Sequence, residues 1–263
     1  MGTSNFEQDV ILPAIKGTRS ILKSVEKSPS VKRVILTSSF AALFDKSRDP
    51  NQPHTYTSED WNPVTYEEAV STDLPTAYRA SKKFAELEAW NWVRSPSSVN
   101  TKGEKIDLTV FCPPIVLGPW VHPLASLSSI NTSIQGHRDM VLGVSDNPIA
   151  AARPPVWVDV RDLALAHVEA AYIRPETSNK RFVVCSPERS SFQREAEIIK
   201  EAFPEWAERV VFFPGDPSRA HVSLDGSPLT TELGIKYTSS KECIIPLAKQ
   251  IHDQAVKEGL LDS

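Results

Sequence analysis

Short apolar runs and amphipathic helical stretches alternate along this chain of 263 residues, and that alternation constrains its fold. Residues 6–27 place apolar side chains at helical spacing, with Ser4 or Asn5 as the expected cap, and the run at 31–39 that follows is apolar and β-branched. Such runs are typical of strands buried in a parallel sheet. A second helix is predicted over 76–93 and a second buried strand over 106–111. Strands that alternate with helices predict an α/β fold with a mostly parallel sheet.

The rest of the chain continues this alternation. A polar loop is expected at 45–65, and Pro113-Pro114 is expected to end the second strand, since proline cannot donate a backbone hydrogen bond. The remaining strands are predicted at 155–159, 181–185 and 209–213, and the remaining helices at 124–135, 160–172, 192–203 and 241–257.

Composition limits the classes of partner. The net charge of −4 and the pI of about 5.9 leave no basic footprint, so nucleic acid is not an expected partner. No apolar run approaches the ~20 residues of a membrane span. The three cysteines match no zinc or redox spacing, which favours a reducing, cytoplasmic setting, and the histidines show no metal-binding pattern.

Tyr78 and Lys82 form a candidate catalytic pair on the helix predicted over 76–93. Residues four apart lie one turn apart on the same face, and an ammonium at that distance stabilises a phenolate. Such a tyrosine can pass a proton to a carbonyl oxygen near neutral pH. The same spacing also occurs on solvent-exposed helices, so the pair gains weight only from its context. Ser39 supplies part of that context, because this residue follows a predicted parallel strand at the end where ligands bind.

Four segments, at 34–42, 78–86, 113–119 and 157–167, together resemble the extended short-chain dehydrogenase/reductases. Within that superfamily they are most similar to the branch of dihydroflavonol reductases, cinnamoyl-CoA reductases and yeast-type methylglyoxal (aldehyde) reductases. The resemblance runs from about residue 6 to residue 259. It implies a Rossmann-like sheet and NADPH-dependent reduction of an aldehyde or ketone to an alcohol.

The resemblance also assigns roles to individual residues. Ser39 matches the catalytic serine, Tyr78 the general acid/base and Lys82 its lysine partner, which also holds the cofactor ribose. Val116 matches a backbone contact to the nicotinamide end of NADPH, and Ser133 a further cofactor contact. Tyr78, Lys82, Val116 and Ser133 are therefore the expected cofactor-binding residues. A small carbonyl compound is the expected partner, and both a monomer and a homodimer remain open.

The glycine pattern departs from the family. The chain has 10 glycines, and no two of them lie closer than seven positions, so a G-x-G-x-x-G phosphate loop is absent. The expectation is an N-terminally incomplete Rossmann-like parallel sheet that lacks its Gly-rich half. Residues 1–119 would form a partial dinucleotide-binding domain, which returns at 155–186. Residues 120–154 and 187–263 would form a smaller substrate-binding part.

Two alternatives to a reductase remain open. An epimerase or dehydratase of nucleotide sugars shares the Ser and Tyr-x-x-x-Lys pattern, although the segment at 113–119 favours a reductase. A catalytically impaired relative would instead bind a partner through an open sheet edge. Glu86 and Glu88 are expected on solvent-exposed helix faces, and Asp159 is expected to cap the helix that follows it.

The missing phosphate loop generates a prediction about NADPH. We expect the 263 residues to bind NADPH weakly or not at all, because no glycine-rich turn places backbone N–H groups on the pyrophosphate. Isothermal titration calorimetry measures this affinity directly, and tight binding would contradict the prediction.

Overall fold

Three parallel strands form the central sheet, in the order β1-β3-β6. The structure is a computed structural model, and it describes residues 5–49, 51–144, 154–213 and 221–262. These strands are β1 (Arg33–Thr37), β3 (Asp107–Cys112) and β6 (Arg181–Val183). The central strand, β3, is almost wholly buried, as its apolar sequence predicts. The carboxyl ends of β1 and β3 lie side by side, because Thr37 pairs with Phe111.

Two short parallel pairs extend this framework. The strand β2 (His54–Tyr56) pairs with β7 (Val222–Leu224), and β4 (Ile115–Leu117) pairs with β5 (Trp157–Asp159). The second pair matters for the site, because it sets Val116 opposite Val158 just after the central strand ends.

Helices cover the sheet and build the C-terminal part. A π-helical turn at Glu7–Ile11 leads into α1, which packs along α3. Among helices in the described ranges, none has both the length and the apolarity needed to cross a membrane. The helices are α1 (Leu12–Glu26), α2 (Tyr66–Ser71), α3 (Leu74–Arg94), α4 (Thr132–Leu142), α5 (Val160–Val168, continued by a π-helical turn at Glu169–Ile173), α6 (Phe192–Ala202), α7 (Ser227–Leu233) and α8 (Ser240–Lys257).

The core is divided among several apolar clusters. One cluster joins α4, α6 and α8 around buried Trp157, and another packs α1 and α3 against β1 and β3. The three cysteines are free and buried. Burial raises the pKa of the Cys185 thiol to about 12, and it also raises the pKa of Cys112 and of Cys243.

The expected α/β fold with parallel sheets is confirmed, and three details are corrected. The strand predicted at 209–213 is wrong, because Val210 and Phe213 pack into the C-terminal cluster while Val211 makes a single backbone bond to the end of α4. The helix predicted at 124–135 begins later, at Thr132, after a 3₁₀ turn that Ser126 caps. The strands β2, β4 and β7 and the helix α7 were not predicted, since each is shorter than the patterns that identify an element.

Asp73 fixes the start of α3, the helix that carries Tyr78 and Lys82. Its Oδ1 accepts a hydrogen bond from the backbone N–H of Thr76 at 2.6 Å. Hydrogen bonds from the Thr76 hydroxyl and the Thr76 backbone lower the pKa of the Asp73 carboxyl. The cap therefore depends on an ionised carboxylate at a helix N-terminus.

We expect Asp73→Ala to lower the free energy of unfolding by about 1 kcal/mol at neutral pH, the usual effect of losing an N-cap. A lowered folded-state pKa gives stability that is complete above the unfolded value of about 4 and is lost as pH falls through the folded value. The difference between the wild type and Asp73→Ala should therefore shrink in acid. Urea denaturation at pH 7 and pH 3 measures it. The matched control is Asp262→Ala, at an exposed position beyond α8; an equal effect there would contradict a specific cap.

Candidate active site

Tyr78 and Lys82 lie on one face of α3, as their spacing predicts. The Nζ atom of Lys82 is 5.7 Å from the centroid of the Tyr78 ring. The Tyr78 side chain is 48% exposed, and within the described ranges no hydrogen bond engages its hydroxyl. The phenol is therefore open to a ligand while an ammonium lies close to its ring.

Ser39 lies at the carboxyl end of β1, where the sequence places it. Its backbone is extended, and its Oγ accepts a hydrogen bond from Ala41 N at 3.1 Å, which caps a 3₁₀ turn at Phe40–Ala42. That turn packs against α3. Among the described residues no hydrogen bond joins the side chains of Ser39, Tyr78 and Lys82. The three thus belong to two elements in contact, with no direct bond between Ser39 and the Tyr78–Lys82 pair.

Val116 and Ser133 lie on a second pair of packed elements. Val116 is half-buried in the middle of β4, and Ser133 is half-buried in the first turn of α4, which contacts β4. A backbone bond connects this pair to the Ser39 turn, because Phe40 N donates to Pro113 O at 2.8 Å, two residues before β4 begins.

Gly118 ends β4 with a tight turn onto the start of α5. Its φ is +123°, and a Cβ at this position would lie 3.0 Å from Val160 Cγ1 and 3.3 Å from Asp159 Oδ2. Asp159 is fully buried, caps α5 through Arg161 N, and accepts two further bonds from the Arg161 guanidinium. The expected capping role of Asp159 is confirmed, and the turn leaves no room for a side chain at Gly118.

Glu86 is the main residue that the sequence analysis misplaced. It is only 1% exposed, so the expected solvent-exposed position is wrong. It forms an ion pair with the buried guanidinium of Arg181 at 2.6 Å and accepts hydrogen bonds from Ser38 Oγ at 2.5 Å and Trp90 Nε1 at 3.1 Å. The available signal was its spacing of four from both Lys82 and Trp90. Glu88 does face outward, where it pairs with Arg19 at 2.8 Å.

A cavity of about 420 Å³ lies beside the N-terminal end of α3. Phe44, Asn62, Thr76 and Arg79 are among the residues that line it. The side chains of Ser39, Tyr78 and Lys82 are not part of its described lining. The cavity is therefore a neighbour of the candidate site and is not lined by the three candidate catalytic side chains. No group of side chains in the described residues has the composition of a metal site.

Comparison with known proteins supplies the family. No family model matches the sequence. A putative oxidoreductase of Schizosaccharomyces pombe is 37% identical over 264 residues, covering 96% of this chain and 72% of the relative. The NADPH-dependent methylglyoxal reductase of Saccharomyces cerevisiae is 34% identical over 254 residues, covering 94% of this chain and 72% of the relative. The chain belongs to this methylglyoxal reductase family of short-chain dehydrogenase/reductases.

The likeness extends to the solved structures. The crystal structure of yeast methylglyoxal/isovaleraldehyde reductase Gre2 complexed with NADPH matches with a TM-score of 0.77 and 31% sequence identity. The match covers 99% of this chain and 75% of the Gre2 chain. The branch implied by the four sequence segments is therefore confirmed, and the Rossmann-like architecture of the described residues agrees with it.

The Gly118 turn generates a testable prediction. We expect Gly118→Ala to lower the free energy of unfolding by about 1–3 kcal/mol, because the positive φ is strained for alanine and Val160 and Asp159 block the added methyl group. Chemical denaturation measures the change. Gly17→Ala is the matched control, since Gly17 lies within α1 with nothing within 4 Å of an added Cβ. It should stabilise by up to about 1 kcal/mol, and equal losses at both positions would contradict the explanation.

Proposed function

We propose that this chain is an NADPH-dependent reductase that converts an aldehyde or ketone into an alcohol. The observation that carries the proposal is the arrangement on α3: an exposed tyrosine with a lysine ammonium 5.7 Å from its ring, and the Ser39 turn packed on the same helix. The support from similarity is the 34% identity to an NADPH-dependent methylglyoxal reductase across 94% of the chain.

The chemistry divides among the three side chains. NADPH, when bound, supplies the hydride that reduces the carbonyl carbon. Tyr78 donates its phenolic proton to the carbonyl oxygen as negative charge develops there. Lys82 stabilises the phenolate that remains, since its positive charge lies one helical turn away. Ser39 donates a hydrogen bond to the same oxygen and holds it beside the phenol.

The cofactor contacts follow from the same assignment. We propose that Lys82 holds the ribose of NADPH and that Tyr78 also contacts the cofactor, while the Val116 backbone contacts its nicotinamide end and Ser133 makes a further cofactor contact. The packing of α4 against β4 and the bond from Phe40 N to Pro113 O support this, because they bring both pairs of elements to one end of the sheet. The absence of the Gly-rich half of the sheet stays a prediction, which the NADPH titration tests.

The division of labour along the chain is also a proposal. Residues 1–119 and 155–186 would bind the dinucleotide, and residues 120–154 and 187–263 would bind the carbonyl substrate. The apolar cluster among α4, α6 and α8 lies mostly in the second part and supports it, and the cluster also takes in Leu117 and Trp157 of the first part, so the two parts share this core. The segment at 145–153 and the segment at 214–220 lie outside the described residues.

Substitution of the tyrosine tests the proposal. We expect Tyr78→Phe to lower kcat for methylglyoxal reduction by about 10²–10⁴-fold, the usual contribution of a general acid, because phenylalanine has no proton to donate. The rate is followed as NADPH oxidation, at NADPH concentrations raised until the rate no longer increases.

The matched control is Tyr172→Phe, which removes the same hydroxyl from a tyrosine that is 86% exposed on another helix. That variant should keep wild-type turnover. Unchanged turnover in Tyr78→Phe would remove Tyr78 from the mechanism. A wild-type chain that reduces no aldehyde or ketone at any NADPH concentration would overturn the proposed function itself.

A further inference from the structure

The carboxylate of Glu86 joins four elements of the fold at one buried point. Its Oε1 accepts hydrogen bonds from Trp90 Nε1 at 3.1 Å and Arg181 Nε at 2.6 Å. Its Oε2 accepts from Ser38 Oγ at 2.5 Å, Arg181 Nη2 at 3.3 Å and Cys112 Sγ at 3.6 Å. The donors lie on α3, at the start of β6 and at the ends of β1 and β3. Both carboxylate oxygens are thus fully used, as a buried charge requires.

One of these bonds ends directly beside the candidate catalytic serine. Ser38 precedes Ser39, and its side chain is held by Glu86 while its backbone N–H donates to Phe111 O at 2.7 Å. Because the hydroxyl and the backbone N–H of Ser38 are both hydrogen-bonded, they fix the backbone that leads into Ser39. Glu86 therefore anchors the residue on the N-terminal side of Ser39.

A second path from Glu86 reaches the C-terminal side of Ser39. The guanidinium of Arg181 donates from Nη1 to the carbonyls of Ser58 at 2.8 Å and Asp60 at 2.5 Å, and it stacks over the Trp61 ring at 3.9 Å. Arg181 thus holds the loop at 58–62 in place. Asn62, at the end of that loop, connects it to the turn after Ser39.

Asn62 carries the path from this loop to the 3₁₀ turn after Ser39. It is only 4% exposed; its backbone N–H donates to Ala42 O at 2.9 Å and its Nδ2 donates to Ala41 O at 3.1 Å. The turn that Ser39 caps is therefore held by the loop that Arg181 holds. Both sides of Ser39 connect back to the same carboxylate.

The helix adds the last constraint. Glu86 follows Tyr78 by eight residues on α3, so about 12 Å of rigid helix separates the two positions along its axis. A carboxylate on that helix fixes the Ser39 turn relative to the phenol on the same helix. Burying an ion pair is a poor way to gain stability, since apolar replacements are often neutral or better. A role in holding the Ser39 turn in position explains why the Glu86 carboxylate is buried here.

We propose that Glu86 is a positioning residue that anchors both sides of the Ser39 turn to the helix bearing Tyr78. It thereby sets the distance between the serine hydroxyl and the phenol around the substrate oxygen. The inference rests on the proposed reductase function, and it adds to that function a residue that touches neither substrate nor cofactor.

A double-mutant cycle tests the proposal. We expect Glu86→Gln to lower kcat by about 10–100-fold, the effect of misplacing a reacting group by about 1 Å, with little change in KM. In a Ser39→Ala background the same substitution should lower kcat hardly further, because the group it positions is gone. A purely structural role predicts equal losses in both backgrounds, and that result would overturn the proposal.

Two further variants guard against a folding defect. Ser38→Ala removes one bond to Glu86 and leaves the ion pair with Arg181 intact, so it should fold and show a smaller loss of kcat that also vanishes in the Ser39→Ala background. Glu88→Gln is the matched control on the same helix, since its partner is the exposed Arg19, and it should keep wild-type kcat. A loss of kcat in Glu88→Gln equal to that in Glu86→Gln would contradict a specific role.

Amide hydrogen exchange gives a readout that does not depend on activity. Ala42, Leu43 and Phe44 donate backbone bonds within the Ser39 turn at 2.9 Å each. In Glu86→Gln and Ser38→Ala these amides should exchange faster, while amides in the middle of α1 stay unchanged. Unchanged exchange in the turn would overturn the positioning role. A wild type with no turnover would instead reject the reductase function and leave the exchange result to decide the anchoring.

Discussion

The parallel pairing of β1 with β3 is the constraint on which the candidate site depends. Two backbone hydrogen bonds continue this pairing on either side of Ser39: Ser38 N–H donates to Phe111 O, and Phe40 N–H donates to Pro113 O. The same end of the central strand leads into β4 and therefore to Val116. Ligands of parallel sheets bind at the carboxyl ends of the strands, and this one edge carries both Ser39 and Val116, the residue proposed to contact the nicotinamide.

Around that edge the polar groups are buried in a satisfied network. Glu86 and Arg181 are a charge pair with 1% and 7% side-chain exposure, and each has further hydrogen bonds to neighbouring elements. Tyr78, in contrast, is exposed and unbonded at its hydroxyl within the described ranges. The candidate site thus combines a buried, hydrogen-bonded support with an exposed Tyr78 side chain.

Local patterns in the sequence predicted much of this arrangement. The spacing of four placed Tyr78 and Lys82 on one helix face, and the apolar run before Ser39 placed it at a strand end, because both patterns depend only on neighbours in sequence. The burial of Glu86 depends instead on Arg181, which is 95 residues away along the chain. The prediction of a strand at 209–213 failed for the same reason, since Val210 and Phe213 found core partners but no strand to pair with in the part of the chain that the structure describes. Pro113-Pro114 ends β3 as expected, yet β4 begins directly afterwards with a different partner.

The burial of the three thiols has a chemical consequence for a protein of this family. Aldehydes are electrophiles, and the thiolate is the form of cysteine that attacks them. Cys112, Cys185 and Cys243 lie away from solvent and have raised pKa values, so at neutral pH almost none of their sulfur is ionised. None of the three thiols is therefore available to add to a reactive carbonyl compound, while the Tyr78 side chain remains exposed to one.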